Sequence, residues 1–180
     1  GATSASAKPK IDNQVSYSIV HAIPSGYGAD IVDIYANGVL IADNVTPGTV
    51  KSVSTVKGNI TISIYADGTS PGSTASPILT SPAIYVSNGN DASFVAHLNL
   101  EEKPTFSIFK NVVTSAGVKR SWLTFRHVAA VGSLQTRTGT YQQVIPMING
   151  TERKKSLVYG VYTVDALLTD TNTTAIPPIS

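Results

Sequence analysis

Three histidines, His21, His97 and His127, are the side chains best suited to acid–base or metal chemistry near neutral pH in this 180-residue sequence. A metal centre needs three or four converging ligands, and neither His-x-His nor His-x₃-His spacing occurs. There is no cysteine, which rules out disulfides and thiolate ligands. His21 and His127 stand in similar local sequences, and a residue repeated in this way points to a structural imidazole tied to backbone or to a carboxylate near a strand end. Hydrolase chemistry has no setting, because Gly-x-Ser-x-Gly is absent. Asp30 and Asp33 are three positions apart on a strand and so face opposite sides, which makes them poor partners in acid–base work. Asp30 is expected to cap a loop and Asp33 to serve a local network. Gly26-Tyr27-Gly28 lacks the lysine and the following helix of a phosphate-binding loop. No catalytic set, metal site or cofactor motif emerges, and an enzyme is not expected.

Binding and modification leave more traces. Trp122 follows Lys119-Arg120 and could stack on a sugar or an aromatic group, although a core or inter-domain tryptophan at a strand start is the plainer role. Tyr27, in the Gly26/Gly28 loop, is a second candidate ligand contact, together with the Ser70-Pro71 loop. Glu152-Arg153-Lys154-Lys155 is the other basic cluster. Asn-x-Ser/Thr sequons at Asn44, Asn59, Asn149 and Asn172 are candidate N-glycosylation sites, with Asn44 and Asn172 the best placed on loops.

The elements that must carry these residues are strands. Val15, Tyr17 and Ile19 alternate with serines as a half-buried strand does. Ile31-Val32-Asp33-Ile34-Tyr35 is apolar at nearly every position, as expected of a strand covered on both sides, and Asn37-Gly38 supplies the residues that a type I′ hairpin turn needs before Val39-Leu40-Ile41-Ala42 returns. Gly58-Asn59 reads as another tight turn, leading into one strand from Ile60 to Tyr65 with three isoleucines on one face. A further strand spans Ala92 to Leu100, with Phe94, Ala96, Leu98 and Leu100 sharing a face, and Thr105 to Phe109 follows Pro104. No stretch has helical period, and strands at this spacing with turn residues between them predict an all-β Greek-key sandwich.

Val20-His21-Ala22, Pro24 and Ala29-Asp30-Ile31-Val32-Asp33-Ile34-Tyr35-Ala36-Asn37-Gly38 resemble the hallmark of an uncharacterised domain family of secreted and surface proteins. Its members carry Val-His-Ala, a Pro, then Val-Asp-Val-Tyr and Asn-Gly or Asp-Gly. The resemblance covers about residues 15 to 113. It implies an immunoglobulin-like β-sandwich, often in tandem, on bacterial or archaeal surfaces, and it brings no activity and no catalytic residues.

A second, partial copy is expected over residues 116–180, after a complete copy over 15–115. Leu123-Thr124-Phe125-Arg126-His127-Val128-Ala129 echoes Tyr17 to Ala22, Met147-Ile148-Asn149-Gly150 echoes Tyr35 to Gly38, and Gly160 to Leu167 echoes Gly58 to Tyr65. Asn-Gly to the next Gly shrinks between the copies, which suggests a lost hairpin. The strands around Ile84, Phe94 and Phe106 have no echo. A sandwich without them exposes backbone groups and apolar surface that something must cover. Residues 1–14, small and polar around Lys8-Pro9-Lys10-Ile11, are a flexible linker or a strand-donating arm.

Only 13% of residues are charged and the formal charge is +2, so the surface is wetted by hydroxyls and amides, and nucleic acid is not an expected partner. No apolar run reaches the length of a membrane span. The composition, with Gly1 to Ala7 resembling the residues after a small-residue cleavage site, predicts an exported protein of a microbial cell surface. The expected function is structural or adhesive and non-enzymatic. Self-association through sheet edges, as in a donor-strand filament, is one form of it. The alternative is a glycan- or protein-binding module of a larger surface protein.

Overall fold

The computed structural model describes residues 14–89, 91–111, 115, 117–138, 142–143, 147–158, 164–168 and 174–179. These are all β, with no helix among them, and hence no helix long and apolar enough to cross a membrane. The strands of the first half are β1 (Gln14–His21), β2 (Val32–Ala36), β3 (Val39–Val45), β4 (Val50–Val56), β5 (Gly58–Ile60), β6 (Ile62–Ala66), β7 (Leu79–Thr80), β8 (Ile84–Val86), β9 (Asp91–Leu98) and β10 (Pro104–Asn111). The second half adds β11 (Arg120–His127), β12 (Leu134–Thr138), β13 (Gln142–Gln143), β14 (Thr151–Val158), β15 (Val164–Leu168) and β16 (Thr174–Ile179).

In the first half, one sheet runs β10-β9-β1-β4 and a second runs β3-β2-β6-β7. β1 lies between antiparallel β4 and parallel β9, so both of its edges are paired. Alternation decides what enters the core: Val15, Tyr17 and Ile19 of β1 join Phe94, Ala96 and Leu98 of β9 against Val32, Ile34, Ile62 and Ile64 of the other sheet. Phe94 sits between Tyr17 and Phe106 in two edge-to-face contacts, with centroids 5.8 and 6.4 Å apart. The result is a β-sandwich.

The β2–β3 hairpin turns on Asn37 and Gly38, both at positive φ (49° and 81°) as a type I′ turn demands. Asn37 also holds the neighbouring segment, its Oδ1 accepting from the Thr61 amide at 2.9 Å. That contact marks where the expected strand from Ile60 to Tyr65 divides: Gly58 and Asn59 are paired in β5 with β8, while Ile62 onward pairs with β2. The chain changes partners at Thr61, yet all three isoleucines remain buried. Leu100 does not extend the face of Leu98, because β9 ends there and Leu100 sits exposed in the β9–β10 turn.

The second half repeats part of the first half's strand order, with a different alignment from the one the sequence suggests. β11 pairs with β14 as β1 pairs with β4, placing Arg126 opposite Glu152 where Val20 stands opposite Val50. The sheet β13-β12-β15-β16 follows the order β3-β2-β6-β7. Val32 pairs with Ala66 and Val45, and Leu134 with Leu168 and Met147. The Gly48 amide donates to the His21 carbonyl at 2.7 Å, and the Gly150 amide to the His127 carbonyl at 2.6 Å. Met147-Ile148-Asn149-Gly150 is therefore the counterpart of Val45-Thr46-Pro47-Gly48, and the expected match to Tyr35-Ala36-Asn37-Gly38 is wrong. Nor is a hairpin lost, since β12 pairs with β13 as β2 pairs with β3. Asn-Gly serves many turns, and the backbone hydrogen bonds, rather than the dipeptide, identify this one. Among the described residues, β5, β8, β9 and β10 have no counterpart in the second half, and β11 is paired on one edge only.

Candidate functional site

His97, His127, Arg126 and Asn149 lie where the first-copy sheet meets the second copy, and His21 lies within the first copy. His21, at the end of β1, is buried, with Nε2 donating to the Ala29 carbonyl at 2.7 Å and Nδ1 accepting from the Ile23 amide at 3.3 Å. It pins the β1–β2 loop and is fully satisfied. His127 repeats half of this: Nε2 donates to the Gly132 carbonyl at 2.8 Å, but buried Nδ1 has no partner among the described residues.

His97 of β9 lies between the copies. Its Nδ1 donates to the Leu98 carbonyl at 2.8 Å and its Nε2 accepts from the Ser107 hydroxyl at 2.6 Å. Burial pushes its pKa below the ordinary 6.5; the hydrogen bond to Leu98 opposes the shift and nearby His127 adds to it. Gly150 covers this pair. At φ +83° it occupies a backbone region that favours glycine, and a Cβ there would lie 2.8 Å from Ser107 Oγ. Beside it, Asn149 Nδ2 donates to the Leu98 carbonyl at 3.0 Å and the Ala129 carbonyl at 2.7 Å, bridging the copies. Arg126 completes the seam: its guanidinium reaches Glu152 at 3.0 Å and Asn111 at 2.5 Å, and lies 4.7 Å from the Phe109 ring centroid.

At one end of this seam opens a cavity of about 440 Å³, walled by Ala22, Pro24, Leu98, Val128, Ala129 and Ala130, with Tyr27 and Glu102 as its polar groups. The volume is in the range of small-ligand pockets. Tyr27 is 41% exposed, its hydroxyl 3.5 Å from Glu102 Oε1. Glu102 holds φ +59° in the β9–β10 turn, where the Asn99 side chain accepts from the amides of Glu101 and Lys103. A glutamate in the left-handed region costs about 1 kcal/mol relative to glycine, and this one turns its carboxylate toward the cavity. A smaller, polar depression of about 200 Å³ lies among Ser16, Ser18, Ser52, Asp91 and Asn111.

A family model, the domain of unknown function DUF4397, matches residues 16–137. The chain belongs to this family. The match runs through the first copy and on to β12 of the second. No curated protein matches the chain.

Within this DUF4397 chain, the residues singled out from sequence are scattered. Tyr27 lines the cavity, whereas Trp122 lies near the start of β11, roughly 20 Å along the strand from Val128 at ~3.3 Å per residue. Trp122 is 45% exposed on the outward side of β11, opposite Ser156, so it is not a core residue. Asp30 caps its loop by accepting from the Gly26 amide at 2.7 Å, and Asp33 accepts from the Asn44 amide at 3.0 Å. Of the sequons, Asn44 and Asn59 are exposed, while a glycan on Asn149 would take one of the two Nδ2 hydrogens that bridge the copies. Asn172 and the arm residues Lys8, Pro9, Lys10 and Ile11 lie outside the described residues. Among the described residues, no group of three or more His, Asp or Glu side chains is placed to hold a metal ion. Sequence reasoning missed Glu102 and Gly150 as site residues and named Asn149 only as a sequon. A glutamate in a short turn between strands and the Asn149-Gly150 pair were the signals, and neither says which surface it will face.

Proposed function

We propose that this DUF4397 chain is an extracellular, non-enzymatic structural or adhesive component of a microbial cell surface that self-associates by strand donation. One observation carries the reading: β11 is paired on one edge only among the described residues, at the place where its counterpart β1 is closed by parallel β9. An open edge beside half-buried Leu123 and Phe125 is a template for another strand. The donor is the arm of residues 1–14, which leads directly into β1. A strand parallel to β11, as β9 is to β1, ends at the His127 end of β11, beside the cavity. The arm leaves its own molecule at Gln14, the opposite end of β1 from that cavity. The donor therefore comes from a second copy, and such head-to-tail contacts build filaments.

Negative-stain microscopy and light scattering of the chain beside a form lacking residues 1–13 test this. Filaments from the intact chain, none from the truncated one, and capping of growth by a synthetic peptide of residues 1–14 are expected. Monodisperse monomers of both forms, or equal polymerisation of both, would overturn it. The second reading, a glycan- or protein-binding module of a larger surface protein, is favoured by the exposure of Tyr27 at the cavity mouth. Saturable binding in a glycan array, lost in Tyr27→Ala, would support it.

A further inference from the structure

The cavity at the copy junction is built from three separate stretches: the β1–β2 loop (Ala22, Pro24, Tyr27), the β9–β10 turn (Leu98, Glu102) and the segment after β11 (Val128 to Ala130). Its walls are short apolar side chains, and its polar features are one carboxylate and one phenol. This suits a long side chain with an aliphatic stem and a cationic head: the stem lies along alanine and proline surface, while the ammonium meets Glu102 and the face or hydroxyl of Tyr27. A phosphate or another carboxylate would be repelled by the same Glu102.

We propose that this cavity seats the basic segment Lys8-Pro9-Lys10 from the arm of a second copy of this chain. The inference rests on the donor-strand reading and adds to it a specific latch. Chain direction supports the choice of occupant. A donor strand lying parallel to β11 leaves the groove at the His127 end, and Val128, Ala129 and Ala130, which follow directly, form one wall of the cavity. The arm must cross that lip before reaching Gln14 of its own β1. Pro9 has no amide to give to a ladder, so pairing along β11 stops at this point of the arm. The two lysines flanking Pro9 are then released from the sheet where the carboxylate waits.

Charge supports it as well. Lys103 stands 3.9 Å from Glu101, whereas the contact of Glu102 among the described residues is the Tyr27 hydroxyl. The turn carries Glu101 and Glu102, and the arm carries Lys8 and Lys10, with Asp12 beyond Ile11. Glu102 also holds its position at a left-handed backbone angle that glycine or asparagine would hold with less strain, which fits a carboxylate retained for contact.

The test measures the critical concentration for assembly of the full chain by light scattering in low salt. Glu102→Gln, and separately the pair Lys8→Ala with Lys10→Ala, should each raise it roughly tenfold, the size of a charge-assisted contact. Glu102→Lys combined with Lys8→Glu and Lys10→Glu should recover most of the loss. If filaments form and these variants leave the critical concentration unchanged, the latch is overturned while strand donation stands. If no filaments form, the assembly reading falls, and the cavity is then judged with acetyl-Lys-Pro-Lys-amide, too short to add a strand. Saturable NMR shifts at Ala22 and Ala129 that vanish in Glu102→Gln would uphold the cavity as a lysine seat; no shifts would overturn it.

Discussion

The two copies share a backbone plan and differ in how each is closed. In the first, β1 has a neighbour on either side and Ile19 is 1% exposed; in the second, β11 has one neighbour among the described residues and its counterpart to Ile19, Phe125, is only partly buried. A single strand order thus yields a finished core in one place and a half-built one in the other. What separates them is the β8-β9-β10 segment, the stretch that delivers Phe94 against Tyr17 and Phe106 against Phe94. Paired truncations should measure the difference. Ile19→Ala is expected to lower unfolding stability by about 3 kcal/mol, in the range for a fully buried aliphatic side chain. Phe125→Ala should cost less than about 2 kcal/mol despite removing more atoms, because much of that ring is already outside a packed core. Urea denaturation of both variants checks this, and equal losses would mean that the second copy is as closed as the first.

The seam between the copies offers the next largest effect. Gly150→Ala should cost about 2 kcal/mol, part from φ +83° and part from the Cβ pressing on Ser107 Oγ at 2.8 Å. A double-mutant cycle with Ser107→Ala separates the two: the steric part disappears when the hydroxyl is gone, and the backbone part remains. Additive losses would place Gly150 away from β10. Arg126→Ala should cost about 1–2 kcal/mol through the lost contacts to Asn111, Glu152 and Phe109. Arg126→Lys should recover less than half of that, because an ammonium cannot serve the two oxygens and lie flat on the ring together. Val20, at the same place in the first copy, has no such duty, so the change from valine to arginine is part of what docks the second copy on the first.

Much of this was legible in the sequence, for reasons that can be named. Alternation placed Val15, Tyr17 and Ile19 inside, and Asn37-Gly38 specified its own hairpin, because both signals are local. Val164 to Leu167 match Ile62 to Tyr65 as expected, since backbone pairing of β15 with β12 repeats that of β6 with β2, while Gly160 to Thr163 lie outside the described residues. Asn149-Gly150 was misassigned because a dipeptide reports that a turn exists and is silent on which strands it joins. The correct frame lies in bonds between His127 and Gly150 and between Leu134 and Met147, all long-range. The cavity was hidden for the same reason. Tyr27 could be named from its loop, but Glu102 and Ala129 become its neighbours only when three distant stretches meet.

The smallest expected effect is on pH dependence, and it sharpens the comparison between the histidines. His97 is held below its ordinary pKa of 6.5 first by burial, and its two nitrogens are already committed to Leu98 and Ser107 as a neutral ring. The unfolded chain takes up a proton near 6.5 while the folded chain resists until a lower pH. In that window the unfolded state binds more protons, so stability is fully present above about 6.5 and falls as pH drops through the folded value. Replacing His97 with glutamine, whose amide can donate to one partner and accept from the other, should lower stability at pH 8 modestly and flatten its decline between pH 7 and 5. Thermal melts across that range give the slopes. An unchanged slope in the variant would move the acid sensitivity away from His97.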